Sequence, residues 1–284
     1  MIIFKHPADI RSFLLSIKGR FEATGFVPTM GALHTGHISL VNKARSESER
    51  VICSIFVNPT QFNDPRDFEK YPTTLENDIY LLEKAGCDIL FLPAVADIYP
   101  DGILTTLKYE LGSLETILEG KFRPGHFQGV CQVVNRLLDI IKPGKLYLGQ
   151  KDFQQCKVLQ KLVDLLGIKT KIIICATQRE PNGLAMSSRN LRLNETGRNK
   201  ASWIYKAMLS IKKDIKVGDI EQLAEGAKQL LIENGFKVDY VEIANADTLD
   251  KIQKWDGKTP LVTLAAAYLN EVRLIDNLII NEIE

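Results

Sequence analysis

Two histidines three residues apart give the strongest indication of chemistry in this chain. His34 and His37 form the pattern His-x-Gly-His within segment 28–37, which follows a short apolar run at 25–27 and opens a predicted helix. At a strand-to-helix turn, two imidazoles can lie beside a triphosphate whose oxygens also face the unpaired N–H groups of the helix. Gly36 lets the phosphates approach the backbone. Imidazole can stabilise charge that grows on phosphate, so the pattern favours attack at a phosphorus atom.

The same pattern alone also fits a pair of solvated or core histidines, because short motifs have many false matches. A zinc site would need further ligands at suitable spacing. Cys53 lies in an apolar run, and His6 and His126 are distant in sequence. The glycine and the strand-turn-helix context therefore favour phosphate over metal.

Composition narrows the class of protein. The chain has 284 residues, 45% of them hydrophobic, and its 36 Lys plus Arg nearly cancel its 35 Asp plus Glu. No strong overall field favours nucleic acid or a membrane surface, so a small-molecule substrate is expected. No apolar run reaches the roughly 20 residues of a membrane span and no leader pattern opens the chain, which predicts a cytoplasmic protein. The five cysteines are odd in number and widely spaced, which suits reduced core thiols: Cys53, Cys87, Cys131, Cys156 and Cys175.

Elements that could position these groups alternate along the first part of the chain. Apolar runs at 25–27, 51–57, 88–92, 145–148 and 171–175 are predicted to be buried strands. Helix-like segments between them predict a parallel, doubly wound α/β sheet of Rossmann-like type, with ligands at the carboxyl ends of the strands. Two apolar stripes have helical spacing: Val130, Val133, Val134, Leu137, Leu138 and Ile141, and Phe153, Cys156, Leu159, Leu162, Val163 and Leu166.

The pattern changes after Cys175. Helices are predicted around 195–216 and 220–234, followed by strands at 237–243, 261–269 and 272–280. We therefore predict two domains, residues 1–176 for nucleotide and substrate binding and a smaller α+β domain at 177–284 that acts as a lid.

Three further clusters lie in loops or after predicted strands. Asn-Pro-Thr-Gln-Phe at 58–62 also fits a strand that ends in a proline turn, and Gly-Gln-Lys-Asp at 149–152 also fits a glycine turn with Asp152 as helix cap. Met-Ser-Ser-Arg at 186–189 also fits a polar loop. Their combination with His-x-Gly-His is far more specific than any one of them.

With these residues, the chain resembles the pantothenate synthetases, the pantoate–β-alanine ligases that use ATP. His-x-Gly-His alone would admit the wider nucleotidyltransferase superfamily. The matching stretches follow the family order over nearly the whole chain: 28–37, 56–62, 123–127, 149–155, 179–181, 183–190 and 273–277.

The resemblance implies a two-step, AMP-forming ligase reaction. The pantoate carboxylate attacks the α-phosphorus of ATP and releases pyrophosphate, and the β-alanine amine then attacks the pantoyl adenylate and releases AMP. The resemblance also implies Mg²⁺ with ATP and a homodimer. It assigns catalytic roles to six residues: His34, His37, Lys151, Ser187, Ser188 and Arg189. The histidines and Lys151 would contact the phosphates and stabilise their charge, with His37 also a possible proton donor, and the other three would hold the triphosphate.

Binding roles follow from the same resemblance. Further ATP contacts are assigned to Met30, Gly31, Ala32, Leu33, Thr35, Gly36, Gly149, Gln150, Asp152, Gln178 and Met186. Asp152 would meet the ribose, and Gln178 would meet adenine through its backbone. Gln61 and Gln155 would bind pantoate, and Asp78 would lie in the magnesium environment. For Arg123 and His126, which lie in a matching stretch, a purely structural alternative is that they order a loop near the dimer contact or the site.

Two other functions remain open from sequence. Another nucleotidyltransferase of the superfamily would need a basic pocket for a phosphorylated acceptor, whereas Gln61 and Gln155 suit a neutral polyol. A non-catalytic nucleotide-binding module would have little need for four such groups together: His34, His37, Lys151 and Arg189.

Overall fold

The computed structural model describes residues 1–17, 23–62, 68–103 and 107–280. They divide into two units, of which the first comprises Met1–Gly149 and Gln155–Ala176 and the second Gln150–Gln154 and Thr177–Glu284. The segment Gln150–Gln154 thus groups with the second unit, although the predicted boundary lies at 176/177. The lid function predicted for 177–284 stays a prediction.

A parallel sheet forms the centre of the first unit. Its strands are β1 Ile2–Phe4, β2 Thr24–Thr29, β3 Arg50–Ile55, β4 Ile89–Phe91, β5 Lys145–Gly149 and β6 Lys171–Cys175. Their order is β1-β4-β3-β2-β5-β6, and each neighbouring pair is parallel. The predicted doubly wound α/β fold is confirmed. Strand order reverses between β2 and β5, and ligands of such sheets bind at that switch point.

Helices accompany these strands along the chain. They are α1 Pro7–Ser16, α2 Thr35–Glu47, α3 Leu75–Lys84, α4 Val95–Ile98, α5 Glu119–Phe122, α6 His126–Ile141 and α7 Phe153–Leu165. The stripe predicted from Val130 to Ile141 lies on α6 and is buried. This helix ends at Ile141, and the next residue, Lys142, adopts a left-handed conformation with φ 49° before Pro143.

Alternating strand residues enter two separate hydrophobic clusters. Phe26 and Ile52 pack into one cluster with α6 and α7, whereas Val27 and Cys53 pack into another with α2. Successive side chains of a strand point to opposite faces of the sheet, so both faces are covered.

Three features of the first unit differ from the sequence predictions. β6 is an edge strand and not a buried one, with Ile174 42% exposed. β1, at the opposite edge, was not predicted, because three residues carry little periodicity. Leu166, predicted to complete the second helical stripe, lies beyond the end of α7 and is exposed, next to Gly167 with φ +60°.

The second unit is an α+β structure, as predicted. Its helices are α8 Glu195–Ala201, α9 Trp203–Asp214 and α10 Glu221–Glu233. Its strands are β7 Gly218–Asp219, β8 Lys237–Asn245, β9 Lys254–Trp255, β10 Leu261–Leu269 and β11 Val272–Ile279. β11, β10 and β8 form an antiparallel sheet in that order, and β7 pairs with β9.

The helix predicted over 195–216 is divided at Ser202. The Ser202 hydroxyl donates to the Asn199 carbonyl at 2.7 Å, and such bonds compete with the helical hydrogen-bond pattern. Within the described parts of the chain, no helix is long and apolar enough to cross a membrane.

Candidate active site

A tight turn connects β2 to α2 in the first unit. Gly31 and Ala32 have φ angles of +80° and +48°, both in the left-handed region that favours glycine. A Cβ atom at Gly31 would lie 3.1 Å from Oδ2 of Asp78, so little space exists for a side chain there. The turn buries the side chains of Ala32 and Leu33 in the protein interior, whereas Thr35 is exposed.

Asp78 on α3 holds this turn through its backbone. Its Oδ2 accepts from the Ala32 N–H at 2.9 Å, and its Oδ1 accepts from the Leu33 N–H at 2.8 Å and from the Thr74 hydroxyl at 2.9 Å. Asp78 is only 1% exposed. A carboxylate oxygen has about two lone-pair sites, so these bonds leave little acceptor capacity.

The predicted magnesium role of Asp78 therefore fits these contacts poorly. Direct coordination would have to compete with the bonds that order the turn. Across residues 1–17, 23–62, 68–103 and 107–280, no three His, Cys, Asp or Glu side chains are grouped so that they could hold a metal ion. Metal binding at Asp78 stays a prediction from sequence.

The two motif histidines cap the N-terminus of α2. His34 Nδ1 accepts from the Gly36 N–H at 3.1 Å, and His37 Nδ1 accepts from the His34 N–H at 3.3 Å. This reciprocal arrangement is a capping box built from imidazoles. The Gly36 N–H, which the sequence left open for phosphate, is thus bonded to His34.

This cap also determines which nitrogen of each imidazole ring carries the proton. An Nδ1 atom that accepts a hydrogen bond carries no proton, so each neutral ring has its proton on Nε2. The ring centroids of His34 and His37 lie 4.1 Å apart. The pair can therefore present two neighbouring N–H donors, which suits an anionic oxygen.

Gln61 lies in a short 3₁₀ helix, Pro59–Gln61, beside α6. The Gln61 carbonyl accepts from His126 Nδ1 at 2.9 Å and from Arg123 Nη2 at 3.2 Å. Arg123 Nη1 also lies 3.0 Å from His126 Nε2. A neutral His126 with its proton on Nδ1 satisfies both contacts. Arg123 and His126 therefore order the loop that carries Gln61.

Asn58 is a buried organiser of this loop that sequence reasoning missed. Its Oδ1 accepts from the Tyr99 hydroxyl at 2.8 Å, and its Nδ2 donates to the Gly129 carbonyl at 3.2 Å. A Cβ at Gly129 would clash with the Thr60 carbonyl oxygen, so α6 can approach the loop closely only where it has a glycine. Asn58 precedes Pro59, a common cap arrangement, and this was the available signal.

The other sites predicted for the first unit are partly accessible. Gln155 lies half-buried in the first turn of α7, and Met30 is half-buried after β2. Gly149 ends β5, and its carbonyl accepts from the Cys156 thiol at 3.5 Å. The structure thus places His34, His37, Gln61, Gln155 and Asp78 in the first unit.

Lys151 lies in the second unit, in the 3₁₀ turn Gln150–Asp152. Its ammonium is 3.8 Å from Oδ1 of the neighbouring Asp152, and its side chain is 18% exposed against 48% for Asp152. The Lys151 side chain is thus largely shielded from water, whereas the Asp152 side chain is about half exposed to it.

A short hairpin leads to the Ser-Ser-Arg segment of the second unit. The Gln178 carbonyl accepts from the Met186 N–H at 2.9 Å, and Arg179 pairs with Ala185 across the hairpin. Ser187 then caps the 3₁₀ helix Ser188–Arg192 by accepting from the Arg189 N–H at 3.3 Å. Ser188 is buried, whereas Ser187 and Arg189 are half-buried.

Comparison with known proteins places the whole chain in one family. The family model described as pantoate-beta-alanine ligase matches residues 2–279. A pantothenate synthetase from Cytophaga hutchinsonii is 48% identical over 285 residues, covering 99% of each chain. One from Porphyromonas gingivalis is 41% identical over 280 residues, covering 98% of this chain and 99% of that one.

Solved structures agree with the sequence relatives. Pantothenate synthetase from Thermus thermophilus matches with a TM-score of 0.90 and 38% identity, covering 99% of this chain and 100% of that one. Pantoate-beta-alanine ligase from Francisella tularensis, complexed with beta-gamma ATP and beta-alanine, has a TM-score of 0.82 and 43% identity, covering 98% and 97%. This chain belongs to the pantoate–β-alanine ligase family.

Proposed function

We propose that this chain joins pantoate to β-alanine at the expense of ATP, through a pantoyl adenylate. In the first step a pantoate carboxylate oxygen attacks the α-phosphorus, and the bond to pyrophosphate breaks. In the second step the β-alanine amine attacks the acyl carbon, the carbon–oxygen bond to AMP breaks, and the amine loses a proton. The mixed anhydride makes amide formation feasible, because AMP is a far better leaving group than the oxygen of a free carboxylate.

The observation that carries this proposal is the imidazole cap at α2. His34 and His37 hold their Nδ1 atoms against backbone N–H groups, which leaves Nε2 of each ring as the donor. We assign these donors to phosphate oxygens whose charge increases during attack, with His37 the stronger candidate. Preorganised donors of this kind need no reorganisation as the charge develops.

Cationic and hydroxyl groups of the second unit complete the phosphate contacts in this proposal. The Lys151 ammonium neutralises charge in the transition state, and Ser187, Ser188 and Arg189 hold the triphosphate. Asp152, whose side chain is exposed to solvent, accepts hydrogen bonds from the ribose hydroxyls. Gln178 contacts adenine through its backbone. The remaining ATP contacts are assigned to Met30, Gly31, Ala32, Leu33, Thr35, Gly36, Gly149, Gln150 and Met186.

Gln61 and Gln155 are assigned to pantoate. Both are half-buried in the first unit, and amides can donate to and accept from the hydroxyl groups of a polyol acid. The carbonyl of Gln61 is fixed by Arg123 and His126, which supports a defined position for its side chain.

ATP enters this reaction as its magnesium complex, with Mg²⁺ held mainly by the phosphates. Asp78 then acts by ordering the turn at Ala32 and Leu33, in line with its hydrogen bonds.

We further propose a cytoplasmic homodimer. The five free cysteines support a reducing compartment, and sedimentation velocity would measure the assembly.

The test is product analysis with substrates omitted in turn. The purified chain with MgATP, pantoate and β-alanine should give pantothenate, AMP and pyrophosphate in equal amounts. ADP and phosphate would instead indicate an acyl phosphate. A dinucleotide product with a phosphorylated acceptor would indicate another nucleotidyltransferase, and ATP binding without turnover a non-catalytic module.

A further inference from the structure

The Arg-Leu-Ile-Asp-Asn sequence at 273–277 has no role in the reaction described so far. It lies on β11, where Asp276 and Asn277 are both buried and point to opposite faces of the strand. A buried polar side chain destabilises the folded protein unless it has hydrogen-bond partners. The partners of Asp276 and Asn277 therefore indicate what these two residues do.

The Asn277 side chain binds the turn that carries Lys151. Its Nδ2 donates to the carbonyls of Gln150 and Lys151 at 2.8 and 2.9 Å, and its Oδ1 accepts from Gln150 Nε2 at 3.2 Å. Asparagine supplies two N–H donors and a carbonyl acceptor in one small group. Aspartate, which has almost the same shape, could not donate to either carbonyl.

Asp276 and Arg179 fix Asn277 from the other side. Arg179 forms two bonds to the Asp276 carboxylate, of 2.5 and 3.0 Å, and its Nη2 also donates to the Asn277 carbonyl at 3.2 Å. Oδ1 of Asp276 accepts from the Asn277 N–H at 2.8 Å. The Arg179 guanidinium lies 3.8 Å from the ring centre of Tyr205, which restricts its plane.

The same guanidinium reaches the hairpin that precedes the Ser-Ser-Arg segment. Arg179 Nη1 donates to the Gly183 carbonyl at 3.1 Å. Burial raises the pKa of Asp276, and the hydrogen bond from Arg179 opposes that rise. Within the second unit, one ion pair therefore connects the hairpin 178–186, Asn277 and the Lys151 turn.

We propose that Asn277, held by the Asp276–Arg179 pair, is a positioning residue that fixes the Gln150–Asp152 turn and with it the direction of the Lys151 ammonium. The proposal rests on the phosphate role proposed for Lys151. The proposal adds that the backbone of the Lys151 turn must be held in place. The lysine side chain is flexible, so the position of its ammonium depends on the position of its backbone.

A double-mutant cycle tests whether Asn277 acts through Lys151. Asn277→Ala should slow pantoate-dependent pyrophosphate release about ten- to a hundredfold, the range expected when a catalytic group is displaced by about 1 Å. It should leave KM for pantoate within about twofold, because displaced catalysis need not weaken ground-state binding. In a Lys151→Ala background the same change should have little further effect. If Asn277→Ala slows pyrophosphate release by the same factor in the Lys151→Ala background as in the parent protein, the proposal is overturned.

Hydrogen exchange tests the anchor without using activity. In Asn277→Asp, the amides of 151–154 should exchange at least about tenfold faster than in the parent protein, because two backbone carbonyls lose their donor. Asn234→Asp is the matched control, since Asn234 Nδ2 also donates to a backbone carbonyl, that of Leu230 at 2.8 Å, elsewhere in the second unit. Equal exchange at 151–154 in the parent and Asn277→Asp would overturn the proposal.

These two readouts separate the anchor from the proposed function. A parent protein that makes no AMP would refute the ligase function, and the exchange result would still decide whether Asn277 holds the turn. If Asn277→Asp does not fold, the exchange measurement is made with Asn277→Ala, which introduces no charge.

Discussion

The turn after β2 and the turn after β5 each present a candidate catalytic side chain, and groups of opposite hydrogen-bonding character hold them. In the first unit, the Asp78 carboxylate accepts from the N–H groups of Ala32 and Leu33. In the second unit, the Asn277 amide donates to the carbonyls of Gln150 and Lys151. Both anchors are about 1% exposed. Each turn is thus fixed by one distant residue whose polarity complements the backbone groups that the turn exposes.

The difference follows from local backbone geometry. Consecutive left-handed residues before α2 turn neighbouring N–H groups to one side, and such concave sets of N–H groups attract an anion. The 3₁₀ turn at Gln150–Asp152 instead directs the carbonyls of Gln150 and Lys151 toward Asn277, and backbone carbonyls away from water require donors. The comparison predicts that exchanging acid and amide is harmful at both anchors, for opposite reasons.

The largest effects should come from the side chains that the two turns present. His37→Ala and Lys151→Ala should each slow adenylate formation about a hundred- to a thousandfold, the usual loss for one preorganised donor. The measurement is pantoate-dependent pyrophosphate release, with circular dichroism as the folding control.

The second half-reaction sharpens this prediction. β-Alanine attacking supplied pantoyl adenylate acts after pyrophosphate has left, so it should depend much less on either side chain. Equal losses in both half-reactions would show that these residues act on the adenylate itself.

Asp78→Asn should have the next largest effect. The amide has one acceptor fewer than the carboxylate, so the N–H of Ala32 or Leu33 loses its partner at a cost of about 1–3 kcal/mol. We expect a lower unfolding midpoint in urea and adenylate formation slowed by about tenfold or more, through displacement of the histidine cap.

Asp88→Asn is the matched control for Asp78→Asn. Asp88 also accepts from a backbone N–H of the first unit, that of Val51 at 2.8 Å, and lies at the amino end of β4. It should lower stability without a selective loss of the first half-reaction. A shifted Mg²⁺ dependence in Asp78→Asn, with stability unchanged, would favour metal binding instead.

Gln61→Ala should affect one substrate. Unpaired polar groups on pantoate would cost about 1–3 kcal/mol, or roughly ten- to a hundredfold in KM for pantoate, with ATP affinity nearly unchanged. Steady-state kinetics with each substrate varied would measure this. Lost ATP affinity with retained pantoate affinity would contradict the assignment.

The smallest effect concerns the reactivity of the cysteine thiols. All five cysteines lie in the first unit, and both tryptophans lie in the second. Burial raises the pKa of Cys87 to about 11 and that of Cys131 to about 12, so at pH 8 neither has much reactive thiolate. Half-buried Cys175 should react first with iodoacetamide, as read by mass spectrometry. Faster labelling of Cys131 than Cys175 in the folded protein would contradict this order.

Sequence periodicity predicted the elements that bury many side chains in a regular pattern. The stripe on α6 and the strands β2 to β5 follow from such patterns, and short motifs pointed to His34, His37, Gln61 and Lys151. The anchoring roles of Asp78 and Asn277 could not be found in this way. Asp78 lies 46 residues from Ala32 and Asn277 lies 126 residues from Lys151, and single hydrogen bonds across such distances leave no periodic signal.

Isotope transfer from pantoate to AMP tests the central claim most directly. If a pantoate carboxylate oxygen attacks the α-phosphorus, that oxygen stays on phosphorus when the amine displaces AMP. With pantoate labelled by ¹⁸O in its carboxylate, we expect AMP that carries one ¹⁸O atom and pyrophosphate that carries none, as measured by mass spectrometry. Unlabelled AMP, or label in phosphate released with ADP, would contradict the pantoyl adenylate.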